Sequence, residues 1–220
     1  DTKKVRDIID ACENGYIEPE QVQQLLDAAG VNRAGEAVVT TADDAAEQAK
    51  KLGLPVVMKV VGPVHKSDVG GVSLNVNDED TVRKEFNRMM KIQDTTGILI
   101  QPMLKGTEIF IGANKEDKFG HMVMCGLGGI FIEVVRDVRS GLAPLGEKEA
   151  LEMIRSLRSY GIIKGTRGQE GVNEKAFAET IIRISALVAE APEIAEMDLN
   201  PLLGNPKEVV AVDARIRIEK

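Results

Sequence analysis

The sequence has little aromatic surface and no run of basic residues. Aromatic side chains make up 3% of its 220 residues, Trp is absent, and the formal net charge at pH 7 is −7. Proteins that bind single-stranded nucleic acid stack bases on aromatic rings, and binding to phosphate backbones or anionic lipids needs basic patches. We therefore expect neither nucleic acid nor a membrane as a partner.

Long apolar runs and paired cysteines are also missing. No apolar stretch approaches the length of a membrane span, and no secretory signal pattern opens the chain. The two cysteines, Cys12 and Cys125, lie far apart without metal-ligand spacing. We expect both to be reduced thiols of a cytoplasmic protein, with Cys125 a plain core residue of an apolar strand.

Hydrophobic residues, at 43%, are sufficient for one large or two small domains. Periodicity and capping signals predict helices over 5–13, from Pro19 to Ala29, over 43–52, from about 79 to 90, over 147–157 and over 173–190. Strand-like runs lie between them, and Pro and Gly in the segment 101–106 mark a connection between two lobes. We predict a helical N-terminal segment (1–34), a small lobe (35–103) and a large lobe (104–220), of class α+β or α/β.

The stretch from Val56 to Leu74 is the first candidate site. Lys59 lies inside an apolar, β-branched run, where a lysine loses apolar burial unless its ammonium meets an anion. His65 follows in a polar loop that ends at Gly70 and Gly71, and small residues with free backbone N–H groups suit a polyphosphate. The alternative is a hairpin in which Lys59 and His65 are merely solvated.

The C-terminal strands form the second candidate site. Alternation places Asp198 and Asn200 on one face of a strand, and Asp213 and Arg215 on one face of the next. Antiparallel pairing around the turn at 204–206 would place Asn200 opposite Asp213 or its neighbour. An Asp and an Asn supply hard oxygen ligands in the number that Mg²⁺ uses when phosphates and water complete its shell. Acidic residues on a solvated sheet face are the simpler alternative.

Two glutamates form a third signal. Glu108 follows the connection between the lobes, and Glu133 interrupts an apolar run, where a carboxylate needs a cation, a ribose hydroxyl or a metal as partner. A solvent-facing position on a half-buried strand would explain Glu133 equally well.

Together these motifs resemble a known family, the ATP-grasp domain of ADP-forming acyl-CoA (acetate–CoA) synthetases, a relative of the β subunit of succinyl-CoA synthetase. The similarity runs in order from about residue 15 to 218. It is carried by Lys59, His65–Val72 (HKSDVGGV), Gln101–Met103 with Gly106–Glu108, Gly126–Glu133, Asp198–Leu202 and Asp213–Arg215.

The resemblance implies an ATP-grasp fold, two lobes of mixed or antiparallel sheet that clamp ATP or ADP, with Mg²⁺ as cofactor. Lys59, with the Gly70–Gly71 loop end, would hold phosphates, and Glu108 would bind the ribose. Adenine would meet Gln101–Leu104, with Gln101 and Met103 contributing largely through backbone groups. Asn200 and Asp213 would hold Mg²⁺, and His65 would accept a phosphoryl group and relay it to ADP. Gln101 departs from the succinyl-CoA relatives, which have Glu there, and the resemblance assigns no firm role to Glu133, Arg167 or Arg215.

The family also needs a CoA-binding domain, and no Gly-x-Gly-x-x-Gly motif occurs in these residues. We therefore expect a CoA-binding α subunit or fused domain as partner, the chain being a β subunit or the ATP-grasp piece of a longer polypeptide. The competing hypothesis is a regulatory or structural ATP-grasp domain with a vestigial site, in a fused protein such as a protein acetyltransferase. The complete set Lys59, His65, Glu108, Asn200 and Asp213 favours the enzyme.

Overall fold

The computed structural model describes residues 1–62, 70–129, 136–166, 168 and 170–220. The chain divides into a larger unit, residues 1–33 with 105–220, and a smaller unit, residues 34–104. The described helices are α1 (Thr2–Ala11), α2 (Pro19–Ala29), α3 (Ala42–Leu52), α4 (Glu79–Met89), α5 (Glu147–Arg155), α6 (Tyr160–Lys164) and α7 (Glu174–Glu190). The described strands are β1 (Gly15–Tyr16), β2 (Ala37–Val39), β3 (Val56–Val61), β4 (Val72–Val76), β5 (Gly97–Pro102), β6 (Thr107–Glu116), β7 (Gly120–Leu127), β8 (Val138–Leu142), β9 (Ile194–Gly204), β10 (Val209–Ala211) and β11 (Ala214–Ile218).

The smaller unit is a four-stranded antiparallel sheet in the order β2-β5-β3-β4. Strand β3 alternates strictly, so Val56, Met58 and Val60 are fully buried while the residues between them are only partly covered. Helices α3 and α4 pack on the buried face, and their apolar side chains share one core with β3 and β5. The opposite face of the sheet is left to the partly exposed set, which includes Lys59.

The larger unit is built on an antiparallel sheet in the order β1-β11-β9-β6-β7-β8, with β10 paired to β9. Helix α7 lies against this sheet because Phe177, Ile181, Ile184 and Val188 repeat at helical spacing, and all four are fully buried. Asn173 caps the helix by accepting a hydrogen bond from the Ala176 N–H at 3.0 Å.

The N-terminal helices belong to the core of the larger unit. Val5 and Ile9 of α1 and Leu25 of α2 join the same buried cluster as Phe177. Helix α2 begins at Pro19 and ends at Gly30, which adopts the left-handed conformation at φ 72°, as the sequence signals indicated. The predicted division sets residues 1–34 apart as a helical segment, because the partner of an amphipathic helix cannot be read from the helix itself.

The predicted mixture of helices and antiparallel sheet is confirmed. In the part of the chain that the structure describes, no helix is both long enough and apolar enough to cross a membrane. Cys12 and Cys125 are both buried free thiols. Burial raises the pKa of Cys125 to about 12, in keeping with a core residue rather than a reactive thiol.

Candidate functional site

Lys59 lies on the outer face of the small sheet, the face opposite helices α3 and α4. It is paired with Leu99 of β5 on one side and with Val72 of β4 on the other. Its side chain is half-buried, and its Nζ donates a hydrogen bond to Gln101 Oε1 at 2.9 Å. The lysine is therefore held by a neighbouring strand, and the solvated-hairpin alternative does not describe it.

Gln101 is a buried polar residue at the centre of this face, with 4% of its surface exposed. Besides accepting from Lys59, it donates from Nε2 to Glu36 Oε2 at 2.7 Å. The resemblance implies a role for Gln101 largely through its backbone, and no sequence motif points to Glu36. Ala37 pairs with Ile100, so the next pair outward is Glu36 with Gln101, and this register is seen in the structure but not in the sequence.

The backbone of Met103 is partly committed to the fold. Its N–H donates to the carbonyl of Pro55 at 2.8 Å, which fixes the segment after β5 against the chain that enters β3. Any backbone contact from Met103 to a ligand would therefore use its carbonyl oxygen.

Gly70 and Gly71 are held by hydrogen bonds to their carbonyl groups. Val60 N–H donates to the Gly71 carbonyl at 2.8 Å, and Arg88 Nη1 donates to the Gly70 carbonyl at 3.2 Å. Gly62 packs so closely on the backbone of Asp94 that an added Cβ would overlap the Asp94 carbonyl oxygen. In the sequence, His65 lies between Gly62 and Gly70, and it is outside the described residues. Glu133 and Arg167 are also outside the described residues.

In the larger unit, β9 and β11 bring Asn200 and Asp213 together. Leu199 pairs with Ala214, and the Asn200 N–H donates to the Asp213 carbonyl at 3.2 Å. The predicted cross-strand proximity of these two residues is confirmed. Asn200 is half-buried and Asp213 is exposed, so both can present oxygen atoms at the surface of the sheet.

Gly129 links Asn200 to Glu108. Its N–H donates to Asn200 Oδ1 at 3.1 Å, and its Cα lies against the Glu108 carboxylate, so an added Cβ would overlap Glu108 Oε2. Gly128 N–H donates to the Glu108 carbonyl at 2.9 Å. The structure thus brings Glu108 and Asn200 to one place. In the sequence this glycine pair is visible only as part of a motif, because a close approach across strands leaves no periodic pattern.

Asp198 lies one pair further along β9, opposite Arg215. Burial raises the pKa of the Asp198 carboxyl above its ordinary value, the nearby negative charge of Asp213 adds to this shift, and Arg215 opposes it. Asp198 and Asp213 therefore place two carboxyl groups in this part of the sheet, close to the guanidinium of Arg215.

The donor chemistry of Asn200 and Asp213 fits Mg²⁺. An amide oxygen and a carboxylate are hard ligands, and protein sites for Mg²⁺ commonly use one or two carboxylates with substrate phosphates and water. Among the described residues, no group of three or more His, Cys, Asp or Glu side chains is arranged to hold a metal. A cation here would depend on additional oxygen ligands from a substrate.

The second histidine has a structural role. His121 is buried at the start of β7, and its Nε2 lies 2.6 Å from the carbonyl oxygen of Ile194. This contact joins β7 to the start of β9, as expected for a histidine that supports the fold.

Comparison with known proteins gives one consistent family. A family model described as an ATP-grasp domain matches residues 9–218. The β subunit of ADP-forming acetate–CoA ligase I from Pyrococcus furiosus is 36% identical over 225 residues, covering 97% of each chain. ADP-forming acetate–CoA ligase II from Archaeoglobus fulgidus is 43% identical over 195 residues, which cover 87% of this chain and 29% of that protein.

A solved acetyl-coenzyme A synthetase from Korarchaeum cryptofilum shares the fold, with a TM-score of 0.84, 35% identity and 99% of each chain covered. That structure is described with coenzyme A and Mg-AMPPCP, and with its phosphohistidine segment pointing towards the nucleotide-binding site. The predicted ATP-grasp fold is thereby confirmed. The chain belongs to the family of ATP-grasp domains that form the β subunits of ADP-forming acetate–CoA ligases.

Proposed function

We propose that this chain is the nucleotide-binding, phosphoryl-transfer component of an ADP-forming acyl-CoA synthetase. With its partner it would catalyse acyl-CoA + ADP + phosphate ⇌ carboxylic acid + CoA + ATP. The observation that carries the proposal is the arrangement in the larger unit. Gly129 packs against Glu108 and donates a hydrogen bond to Asn200, and the Asn200 N–H donates to the Asp213 carbonyl. A solvated sheet face would not require glycine at the point of contact.

Each set of residues has a role suited to its chemistry. Lys59 would bind nucleotide phosphate, because an ammonium group offers several N–H donors to phosphate oxygens. Asn200 and Asp213 would hold Mg²⁺, which neutralises phosphate charge when bound. Glu108, an exposed carboxylate, would accept hydrogen bonds from ribose hydroxyls. Gln101 and Met103 would lie beside the adenine.

His65 would carry the phosphoryl group. A neutral imidazole is a competent nucleophile near pH 7, so a P–N bond can form as the P–O bond to the leaving group breaks. Support comes from its place in the HKSDVGGV motif and from the phosphohistidine segment described for the Korarchaeum relative. Of the described residues near it, Gly62 packs on the backbone of Asp94, and the Gly70 carbonyl accepts a hydrogen bond from Arg88.

The relatives support a partner for the remaining chemistry. This chain matches 97% of a separate β subunit but 29% of the Archaeoglobus fulgidus ligase. We propose that a CoA-binding α subunit or fused domain supplies the acyl and CoA sites and that the chain alone makes no acyl-CoA. Activity of the assembly would also distinguish this proposal from a vestigial, regulatory ATP-grasp domain.

The relay is tested by reconstituting the chain with its partner and measuring ATP formed from acyl-CoA, ADP and phosphate. His65→Ala should bind nucleotide normally yet abolish ATP formation and the acid-labile, alkali-stable label of a phosphohistidine. His121→Gln is the matched control, because a glutamine can still donate to the Ile194 carbonyl. Near wild-type ATP formation by His65→Ala would exclude the relay.

The metal assignment is tested by calorimetry of Mg-ATP binding to Asn200→Ala and Asp213→Ala. Both changes should lower the affinity while leaving the fold intact, since neither removes core volume. Asp117→Ala, which removes an exposed carboxylate from the β6–β7 turn, should leave binding unchanged. Ordinary Mg-ATP affinity in both site variants would show that these residues do not hold the metal.

A further inference from the structure

Three polar side chains form a connected row on the outer face of the small sheet: Glu36, Gln101 and Lys59. Strand register places them together. Continuing the β2–β5 pairs by one residue sets Glu36 opposite Gln101, and Gln101 pairs with Val57, two residues before Lys59 on β3. Side chains at such diagonal positions on one face are within reach of each other when they are long.

The hydrogen bonds in this row have a fixed direction. Gln101 donates from Nε2 to Glu36 at 2.7 Å and accepts through Oε1 from Lys59 at 2.9 Å. A carboxylate can only accept, whereas an amide has one donor end and one acceptor end. Glu36 therefore holds the amide of Gln101 in the orientation that presents its oxygen, and not its NH₂ group, to Lys59.

The amide of Gln101 lies between Lys59 and Glu36 and connects these two side chains. Gln101 is 4% exposed, so its amide is locked among its neighbours and water competes little for its hydrogen bonds.

We infer that Glu36 is a positioning residue for the phosphate-binding lysine and acts through the Gln101 amide. The inference rests on the proposed role of Lys59 and extends it to a residue that need not touch the nucleotide. Loss of the Glu36 carboxylate removes one of the groups that hold the Gln101 amide, so the oxygen that accepts from Lys59 is placed less firmly. Lys59 would then be held less firmly before phosphate binds.

The test is a double-mutant cycle in which Mg-ATP affinity is measured by calorimetry on the chain assembled with its partner. Glu36→Gln removes the negative charge at constant size and leaves at most a neutral hydrogen bond to Gln101, so it should weaken binding about 3- to 10-fold. In a Lys59→Met background, Glu36→Gln should change the Mg-ATP affinity by less than about 2-fold, because the Lys59 ammonium that it positions is absent. Glu47→Gln, an exposed carboxylate on α3, controls for the loss of one negative charge in the same unit.

The outcomes separate this inference from the proposed function. An equal loss from Glu36→Gln in both backgrounds would mean that Glu36 acts on the nucleotide directly or through the fold, and would overturn the inference. No loss from Glu36→Gln, with a clear loss from Lys59→Met, would also overturn it while leaving the role of Lys59 intact. Unchanged affinity in Lys59→Met would remove the proposed role of Lys59 itself.

A second variant keeps the test decisive if Glu36→Gln folds poorly. Gln101→Glu places a carboxylate beside Glu36 and pairs it directly with Lys59. ATP affinity should fall in this variant, and the added change Glu36→Gln should restore part of it by removing the repulsion between the two carboxylates. If Glu36→Gln restored no affinity in the Gln101→Glu variant, this would contradict the proposed hydrogen bonds from Lys59 to Gln101 and from Gln101 to Glu36.

Discussion

The two units hold their candidate groups in different ways. In the smaller unit, Lys59 is positioned by other side chains, through Gln101 to Glu36. In the larger unit, Asn200 is positioned by main-chain groups, with its oxygen on the Gly129 N–H and its own N–H on the Asp213 carbonyl. Conservative substitutions can change single hydrogen bonds between the side chains of Lys59, Gln101 and Glu36. The contact at Gly129 involves the main chain, and any side chain added there would disrupt it. The two sites should therefore respond differently to substitution.

The largest expected effects come from substitutions in the hydrophobic cores, because each unit has a core of its own. Phe177 is fully buried in the larger unit and Phe86 is 5% exposed in the smaller one, and each belongs to a cluster of its own. Phe177→Ala and Phe86→Ala should each cost about 3–5 kcal/mol of unfolding free energy through lost burial and a cavity. Hydrogen exchange should show the loss of protection mainly in the unit that carries the change. Equal losses in both units from either variant would show that the chain unfolds as one body.

Lys59→Met gives the next largest effect, because it removes the charge while keeping most of the side-chain packing. Mg-ATP affinity should fall by about 1.5–3 kcal/mol, roughly 10- to 150-fold, the range for hydrogen bonds to charged groups. Calorimetry measures the change, and the melting temperature should stay close to that of the unchanged chain. An unaltered affinity would show that Lys59 has no role in nucleotide binding.

Gly129→Ala tests the main-chain contact in the larger unit. A Cβ at this position would push Glu108 away and disturb the bond to Asn200, and the left-handed φ of 60° adds backbone strain. We expect Mg-ATP affinity to fall about tenfold, or ~1.4 kcal/mol.

Gly120→Ala is the matched control for this variant, since Gly120 has a φ of 80° and open space where a Cβ would lie. It should carry a similar strain cost but leave binding unchanged. If the two alanine variants bound Mg-ATP equally well, the contact between Gly129 and Glu108 would have no part in the site.

The smallest effect concerns acid stability of the larger unit. Arg6 donates hydrogen bonds to both carboxylate oxygens of Glu193, which lowers the pKa of Glu193 from 4.5 to about 2. Because the folded-state pKa lies below the ordinary value, this group stabilises the fold above about pH 4.5, and the contribution is lost as pH falls towards 2.

Urea midpoints measured across that range should therefore fall less steeply for Glu193→Gln than for the unchanged chain. Glu190→Gln removes a carboxylate nearby without altering the Arg6–Glu193 pair and should keep the original slope. Parallel curves for all three proteins would show that the pair does not contribute to acid sensitivity.

Much of the fold could be predicted from the sequence because it depends on local patterns. The bounds of α2 follow from Pro19 and Gly30, and α7 from the spacing of its buried residues. The pairing of Asn200 with Asp213 was also predictable, since a turn of known position fixes the register of an antiparallel pair.

Other features depend on contacts between segments that are distant in sequence. Glu36 lies 65 residues before Gln101, so the row that holds Lys59 appears only once β2 is paired with β5. The packing of Gly129 on Glu108 likewise requires β6 and the chain after β7 to be in place. Glycine motifs show where a close approach is possible but do not say which side chain will make it.

The Glu36–Gln101 contact also has a consequence for how this family varies. Position 101 is an amide here, whereas the succinyl-CoA relatives have an acid there, and an acid at both positions would place two carboxylates at hydrogen-bonding distance. Substitutions at the two positions should therefore be linked during evolution. Homologues with an acid at the position of Gln101 should have a neutral or basic residue at that of Glu36, and this covariation would be visible across the strands although the two positions are far apart in sequence.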